Sequence, residues 1–597
     1  MWNLCFFSAL AIVLVSVVWA VLQSAGAVKA RRLLTPFTLL FLGVIIASVV
    51  LFIPIYVNNF KENGCGPAET FLMSVHNMIR LFVVDGEFTF ITDNMVGIPS
   101  WMAGAYSLFF AVLFIVAPLL TFGAVLSFFS DISAGRRYFF NRNKNLSVFS
   151  HLNERSLTLA ESLSKSPKKR FLVFTDVSDD GDENTAELIR SAKKLGAVCF
   201  KTDIADLYYF KGGKKSLEMF VMSDNESDNV RIGLKLIEKH KNTPDSHLYI
   251  FSSSAEADIL VTGALSSARE KNDGQPLGIK ARCINEVRSL IYRNLNDRGY
   301  ETLFANLPCD GNGIKHINAV VVGMGRYGTE MAKALPWVGQ MDGYDITIDC
   351  FDGNSDAEEV FTSLCPELMA FSGKEIVGET KYVLNVHSSV NWQSRYFDEI
   401  ILGLSGLTYV FVALGSDEEN ISAAVKMRTL AAKKGLTPVI QAVVSDSGKK
   451  AALADIKNYK GKSYGIEFIG DMETSYSEDV ILESDIETAG KMRHLKYDPD
   501  AEDSFWEYSY NYRSSIASAI HYELKRKCGI AGAEKKPCDR EESELWALRR
   551  LEHRRWNAYM RSEGYEWAEK RDDMAKTHHL LVPFDKLSLE EQKKDDD

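Results

Sequence analysis

The 597 residues contain no Cys-x-x-Cys pair and no cysteine–histidine cluster at metal-ligand spacing; the nine cysteines lie singly along the chain. That excludes zinc ribbons and disulfide-stapled secreted modules. Also missing are G-x-S-x-G, a Walker sequence and H-E-x-x-H, so the hydrolase chemistries they serve have no support and the chain is expected not to be an enzyme. The net charge of −11 leaves no basic excess to neutralise phosphates, which argues against a nucleic-acid partner. What charge there is lies unevenly. Residues 1–140 carry seven basic and six acidic groups, against 61 and 73 in the remainder. A near-neutral apolar quarter joined to an acidic, charge-rich remainder reads as a membrane domain with a large soluble part. At roughly 100–200 residues per domain the length implies three to five units.

Three apolar runs reach the roughly 20 residues needed to span a bilayer: Trp2 to about Leu22, Leu33 to Val57, and Trp101 to Phe129. Met1-Trp2-Asn3 offers no basic n-region, so the first run is expected to be a retained helix rather than a signal peptide. Lys29, Arg31 and Arg32 lie in the first connection, and Arg136, Arg137 and Arg142 follow the third run. The second connection has only Lys61 and Arg80 against five acids. The positive-inside bias then puts the N-terminus outside and the C-terminal bulk in the cytoplasm of a multi-pass plasma (inner) membrane protein. The single cysteines of the soluble part suit a reducing compartment, and Cys65 alone is expected to face outward, as a free thiol.

Between the second and third runs, Glu69 to Phe90 is apolar but too short to cross, and is interrupted by His76 and Arg80. It ends in Val83-Val84-Asp85-Gly86-Glu87. Span, re-entrant helix, Gly-containing turn and span is the plan of a tetrameric cation-channel pore. There Asp85 and Glu87 would form a cation-attracting ring, with the Gly86 backbone open to close approach. The competing reading makes residues 69–84 an interfacial amphipathic helix and Asp85-Gly86 a simple turn. Thr-Val-Gly-Tyr-Gly is absent, so a monovalent or divalent cation is expected without a choice of ion.

Beyond residue 144 short apolar strands alternate with helical stretches, the signature of βαβ units and a parallel sheet. The first set covers about 144–305. Its opening turn, Ser150-His-Leu-Asn-Glu-Arg-Ser156, has no glycine, so this half is expected to be structural or differently liganded. The second set covers about 314–485 and begins with Ile317–Val322, then Gly323-Met-Gly-Arg-Tyr-Gly328, then a helix. Alone, G-x-G-x-x-G is weak; between a strand and a helix it is a phosphate-binding turn. Gly323 permits the tight turn, Gly325 close approach of phosphate beside Arg326, and Gly328 helix–strand packing. Asp352, at the end of the next strand, could accept from ribose hydroxyls, with Asp349 as its rival. Asn385 and Gly415 fall at the ends of later strands and are expected to line the same crevice. The ligand expected here is NAD(H) or another adenine nucleotide; the bland alternative is a vestigial fold using its glycines for packing.

Membrane spans followed by tandem units, the second with Gly323-x-Gly325-x-x-Gly328 and Asp352, resemble the RCK and TrkA-N-type domains that regulate potassium-channel conductance and Trk-type uptake. Ile279–Tyr292 is similar in character to that family's closing segment. The resemblance implies a homotetrameric ring whose ligand-driven change of diameter pulls on a pore.

From about residue 500 the chain turns aromatic. Glu552-His553-x-x-Trp556, Gly564-aromatic, Arg571-Asp-Asp573 and Lys576-Thr-His578-x-Leu-Leu-Val-Pro583-aromatic-Asp585 follow in order. This series resembles the ryanodine-receptor (RyR) repeat domain, which implies a small, mainly α sensing module. His553, Trp556, Arg571, Lys576 and His578 are its ligand candidates, with core packing the competing role for Trp556. The expected whole is thus a multidomain chain: residues 1–140 a helical membrane domain of three spans plus a re-entrant helix, two Rossmann-like α/β domains at 144–305 and 314–485, and an RyR-type module at 500–597. The leading functional expectation is a nucleotide- or ligand-gated cation channel; the alternative is a membrane-anchored nucleotide sensor or signalling scaffold without conductance, of the kind used in stress or phage defence.

Overall fold

The computed structural model describes all residues except 25–35, 61–65, 84, 86–87, 96, 179–181, 208–214, 375–378, 455–456, 458–459, 462, 483, 498–501 and 596–597. The chain divides into two compact units, Met1–Arg137 and Tyr138–Asp597.

In the first unit the three apolar runs are the helices Trp2–Ser24, Pro36–Phe60 and Ser100–Asn141, each long and apolar enough to cross a membrane. Proline opens the second helix, where its missing N–H costs nothing. Their shared core includes Ala47, Leu51, Ile55, Tyr106 and Phe110. Between the second and third lie Pro67–Phe82 and Phe88–Asp93. Sixteen helical residues rise about 24 Å, short of a hydrocarbon core of about 30 Å, so this helix is no fourth span. Phe71, Leu72, Met73 and Ile79 on it are exposed within the single chain.

The second unit contains two six-stranded parallel sheets. The first comprises β1 (Leu146–Phe149), β2 (Phe171–Phe174), β3 (Val198–Cys199), β4 (Leu217–Val221), β5 (Ser246–Phe251) and β6 (Ile279–Ile284), in the order β3-β2-β1-β4-β5-β6. The second comprises β7 (Lys315–Val322), β8 (Tyr344–Phe351), β9 (Val383–His387), β10 (Tyr409–Val412), β11 (Val439–Val443) and β12 (Ile466–Ile469), in the order β12-β11-β10-β7-β8-β9. Both are doubly wound Rossmann-like sheets whose strand order reverses beside the first strand, β1 or β7, the point outside which such sheets generally take ligands. Val320, Val322, Val410 and Val412 are almost wholly buried, the burial a parallel sheet covered on both faces demands. The segment Ile279–Tyr292 resolves into β6 and the start of the helix Glu286–Gly299, which passes into the core of the second sheet through Val287, Ile291 and Leu295.

The C-terminal residues form a helical layer: Ser484–Tyr497, Ser509–Lys527 and Glu542–Ser562. It begins at Ser484, ahead of the residue-500 boundary expected from composition. It also shares one core with the second sheet, in which Trp337 packs edge-on against Tyr559 at 6.1 Å between ring centres.

Largely buried charges fasten this junction. Glu563 takes Arg288 at 3.2 Å and Lys333 at 3.4 Å, and Arg288 also pairs with Glu330 at 2.9 Å. Arg513 bridges Glu563 at 3.9 Å and Asp258 at 2.5 Å. Burial favours the neutral Glu563, but the charges of Arg288, Lys333 and Arg513 outweigh it and hold the carboxyl below the usual carboxylate range. A depressed folded-state pKa gives stability that is complete above the unfolded value of about 4.3 and lost as pH falls below it. Glu563→Gln, which leaves three cations facing no carboxylate at that position, is therefore expected to cost about 3–5 kcal/mol at pH 7. In thermal melts of the full chain in detergent, the loss on acidification below about pH 4.3 should also be shallower for the variant than for the unaltered chain.

Candidate functional site

The turn after β7 is built around its glycines. Gly323 has φ +94°, and a Cβ there would lie 2.3 Å from the Ala413 carbonyl oxygen. A Cβ on Gly328 would lie 1.7 Å from the Gly323 oxygen. Gly325 differs: no atom approaches its Cβ position within 4 Å, and it starts the helix Arg326–Val338 with no side chain capping the free N–H groups. By contrast, Asn153 caps the corresponding helix of the first sheet, accepting from Ser156 N at 2.8 Å. The uncapped turn presents a partial positive charge to any anion that enters.

It opens on a cavity of about 240 Å³ walled by Met324, Gly325, Thr329, Asp352, Ala357 and Phe361 among others. Asp352 lies just past β8. Its carboxylate accepts the Met324 N–H at 2.6 Å and the Asn354 N–H at 2.7 Å. One residue therefore braces the glycine turn and keeps lone pairs for a hydroxylated ligand. Asp349, the rival, is buried and accepts from Asn385 at 3.0 Å, away from the cavity wall.

Three expected lining residues go elsewhere. Asn385 spends its amide on Asp349. Arg326 reaches Glu286 of the first sheet's domain at 3.1 Å. Gly415 is absent from the wall and leads into Ser416, which caps the helix Asp417–Lys433. The cavity thus lies on the β7–β8 side and does not reach over β10. The sequence reading missed the helix Ala357–Leu364, which supplies the apolar wall through Ala357, Val360, Phe361 and Leu364; helical spacing of those residues after Asp352 was the available signal.

Of the membrane candidates, Val84, Gly86 and Glu87 lie outside the described residues. Val83 ends its helix and is exposed. Asp85 accepts from Arg80 Nε at 3.1 Å with its side chain 73% exposed, so its charge is partly compensated within its own chain.

In the C-terminal layer, His553 and Trp556 line a second cavity, of about 220 Å³, beside Arg555. The other three candidates do not line it. Lys576 donates to the Glu563 carbonyl. Arg571 pairs with Asp573 and lies over the Tyr510 ring. His578 packs edge-on against Trp556, and burial pushes it down to about 4, so it is neutral at physiological pH. Among the described residues no group of histidine, cysteine and carboxylate side chains could hold a metal ion.

No family model, curated protein or solved structure matches the chain.

The glycine geometry separates packing from recognition. Gly328→Ala is expected to cost at least about 1–3 kcal/mol through the clash with Gly323. Gly325→Ala should stay within about 1 kcal/mol, the usual effect at a helix N-cap. Chemical denaturation of the two variants checks the contrast.

Proposed function

We propose that the protein is a nucleotide-gated cation channel, assembled as a homotetramer, with the soluble unit as its cytoplasmic sensor. The observation that carries this reading is the uncapped Gly325 turn opening beside Asp352, in a chain with three span-length helices. A phosphate on the free N–H groups of Gly325 and the helix behind it, and a ribose on Asp352, suit an adenine nucleotide. Because the cavity stops short of β10, a mononucleotide or one half of NAD(H) fits better than a whole dinucleotide. The helix Pro67–Phe82, too short to cross and apolar on its exposed side, supports a re-entrant element between spans; in a tetramer that side is covered by lipid or by another copy. The RCK- and RyR-like motifs favour the same reading. Moving a gate from 1:99 to 99:1 takes about 5.5 kcal/mol of preferential binding, which four linked sensors can share.

One observation favours the second reading, a membrane-anchored nucleotide sensor without conductance: Arg80 compensates Asp85 within the chain, which weakens a ring of Asp85 charges as a cation attractor.

Cation flux from liposomes carrying the purified protein, with and without ATP, ADP, AMP and NAD, separates the two. For a channel, Asp85→Asn should lower flux about 3–10-fold, the range expected of coulombic attraction between partly screened charges, while leaving nucleotide binding intact. Gly325→Asp should abolish the nucleotide response. Nucleotide binding that Gly325→Asp removes, without flux under any condition, would leave the sensor.

A further inference from the structure

The cavity of the C-terminal layer contains an imbalance that the Rossmann-type site does not explain. Its wall includes Arg555, whose side chain is 2% exposed. Arg555 Nη2 donates to Glu552 at 2.7 Å, but its Nε and Nη1 have no hydrogen-bond partner. A guanidinium is always charged and carries five donors; buried donors left unmade cost more than a typical hydrogen bond contributes. Glu552 has little capacity left to compensate. It also accepts from Ser518 at 2.8 Å and from Lys525 at 3.1 Å, with both Lys525 and Glu552 fully buried. Burial drives Lys525 down to about 7 despite the pull of Glu552. Cationic capacity therefore exceeds its carboxylate partner at this wall, and two guanidinium nitrogens are unspent.

The rest of the lining matches a small organic acid. Ser514, Ser515 and Asn511 provide short polar groups in the lining, and Trp556 a flat apolar ring. Lys594 is at the mouth, tied to Glu591 at 2.9 Å. The chain itself already places an acid here. Asp595 lines the cavity and meets His553 Nδ1 at 3.2 Å. His553 Nε2 lies 2.8 Å from the Val582 carbonyl oxygen, which can only accept. Nδ1 therefore meets the Asp595 carboxyl through one shared proton.

We propose that this cavity is a binding site for a small organic anion, a phosphate or carboxylate carried on a flat ring, whose acid group accepts from an unspent N–H of Arg555. The ring lies against Trp556, and Asp595 is an internal acid that the ligand displaces. Arg555 is suited to the task because its guanidinium is always charged and a charge-assisted hydrogen bond to an acid oxygen is stronger than a neutral one. The site stands apart from the nucleotide cavity at Gly325, and neither reading needs the other.

The test is calorimetry with full-length protein in detergent, in a Gly325→Asp background that removes the other nucleotide site. The probes are adenosine 5′-monophosphate, benzoate and inorganic phosphate. Hydrogen exchange locates any bound probe. Monophosphate binding with protection at 510–518 and 553–556 marks a phosphate ligand, and the same pattern with benzoate marks a carboxylate. Asp595→Ala should tighten binding about 3–10-fold by removing the internal competitor. Arg555→Gln should weaken it at least about tenfold, the loss of a charge-assisted pair. Should Arg555→Gln not fold, Lys594→Glu takes its place and should weaken binding about threefold or more by placing a like charge at the mouth. Binding by phosphate alone with no benefit from the ring would overturn the ligand class. Failure of all three probes with Asp595→Ala at millimolar concentration would overturn the site. Protection confined to the Gly325 turn would overturn it too.

Discussion

The second unit, Tyr138–Asp597, depends on one carboxylate. Glu563 sits where the last long helix ends, and its partners come from three places: Arg288 follows the first sheet, Lys333 belongs to the helix behind the glycine turn, and Arg513 lies in the C-terminal layer. Each side chain at this junction is 11–20% exposed. Ion pairs this dry add little net stability over an apolar core, because desolvation cancels most of the attraction. Their consequence is geometric. An apolar contact tolerates a slide of one residue; a buried carboxylate facing three cations does not, since any other register strands a charge. The cluster therefore sets how the two sheets and the helical layer sit together, while the apolar core around Trp337 supplies the bulk of the burial energy.

The helix Glu542–Ser562 carries that constraint to both cavities. Near its middle, His553, Arg555 and Trp556 form part of the C-terminal cavity wall. At its end, Ser562 accepts from the Cys365 thiol at 3.1 Å, and Arg561 pairs with Glu367 at 3.1 Å and Glu379 at 2.9 Å. Gly564, with φ +81°, comes so close that a Cβ would lie 2.7 Å from the Leu364 carbonyl oxygen. Leu364 also lines the cavity beside Gly325. The wall of one cavity and the brace of the other thus belong to a single helix and its C-terminal cap.

Much of this layout could be read in the sequence, and the parts that could not have a common cause. Span-length apolar runs and strand–helix alternation are local signals, so the three long helices, the strand at Ile317–Val322 and the turn at Gly323–Gly328 lie where those signals put them. Asp352 was legible because a strand ends beside it. Asn385 and Gly415 were placed by the general rule that ligands sit at strand ends; which strand ends face a cavity depends on cross-chain partners such as Asp349. Arg555 escaped notice because an arginine flanked by other charges on a helix reads as solvated surface. Only tertiary packing buries it. The C-terminal boundary was drawn by composition, yet Ser484–Tyr497 joins the layer through packing that composition does not register. Arg571, Lys576 and His578 were grouped by motif order, whereas the fold spends each on a local partner.

The same packing restricts how the two cavities can communicate. Close-packed interiors and buried ion pairs do not deform continuously; they hold one arrangement or exchange it for another. For the helix Glu542–Ser562 to yield near Arg555, the Arg561–Glu379 and Glu563–Arg288 pairs at its C-terminal end must stay in register or break together. A small shift is therefore either absorbed locally or transmitted whole. Any coupling between the two cavities through this element would be reciprocal, as linkage requires.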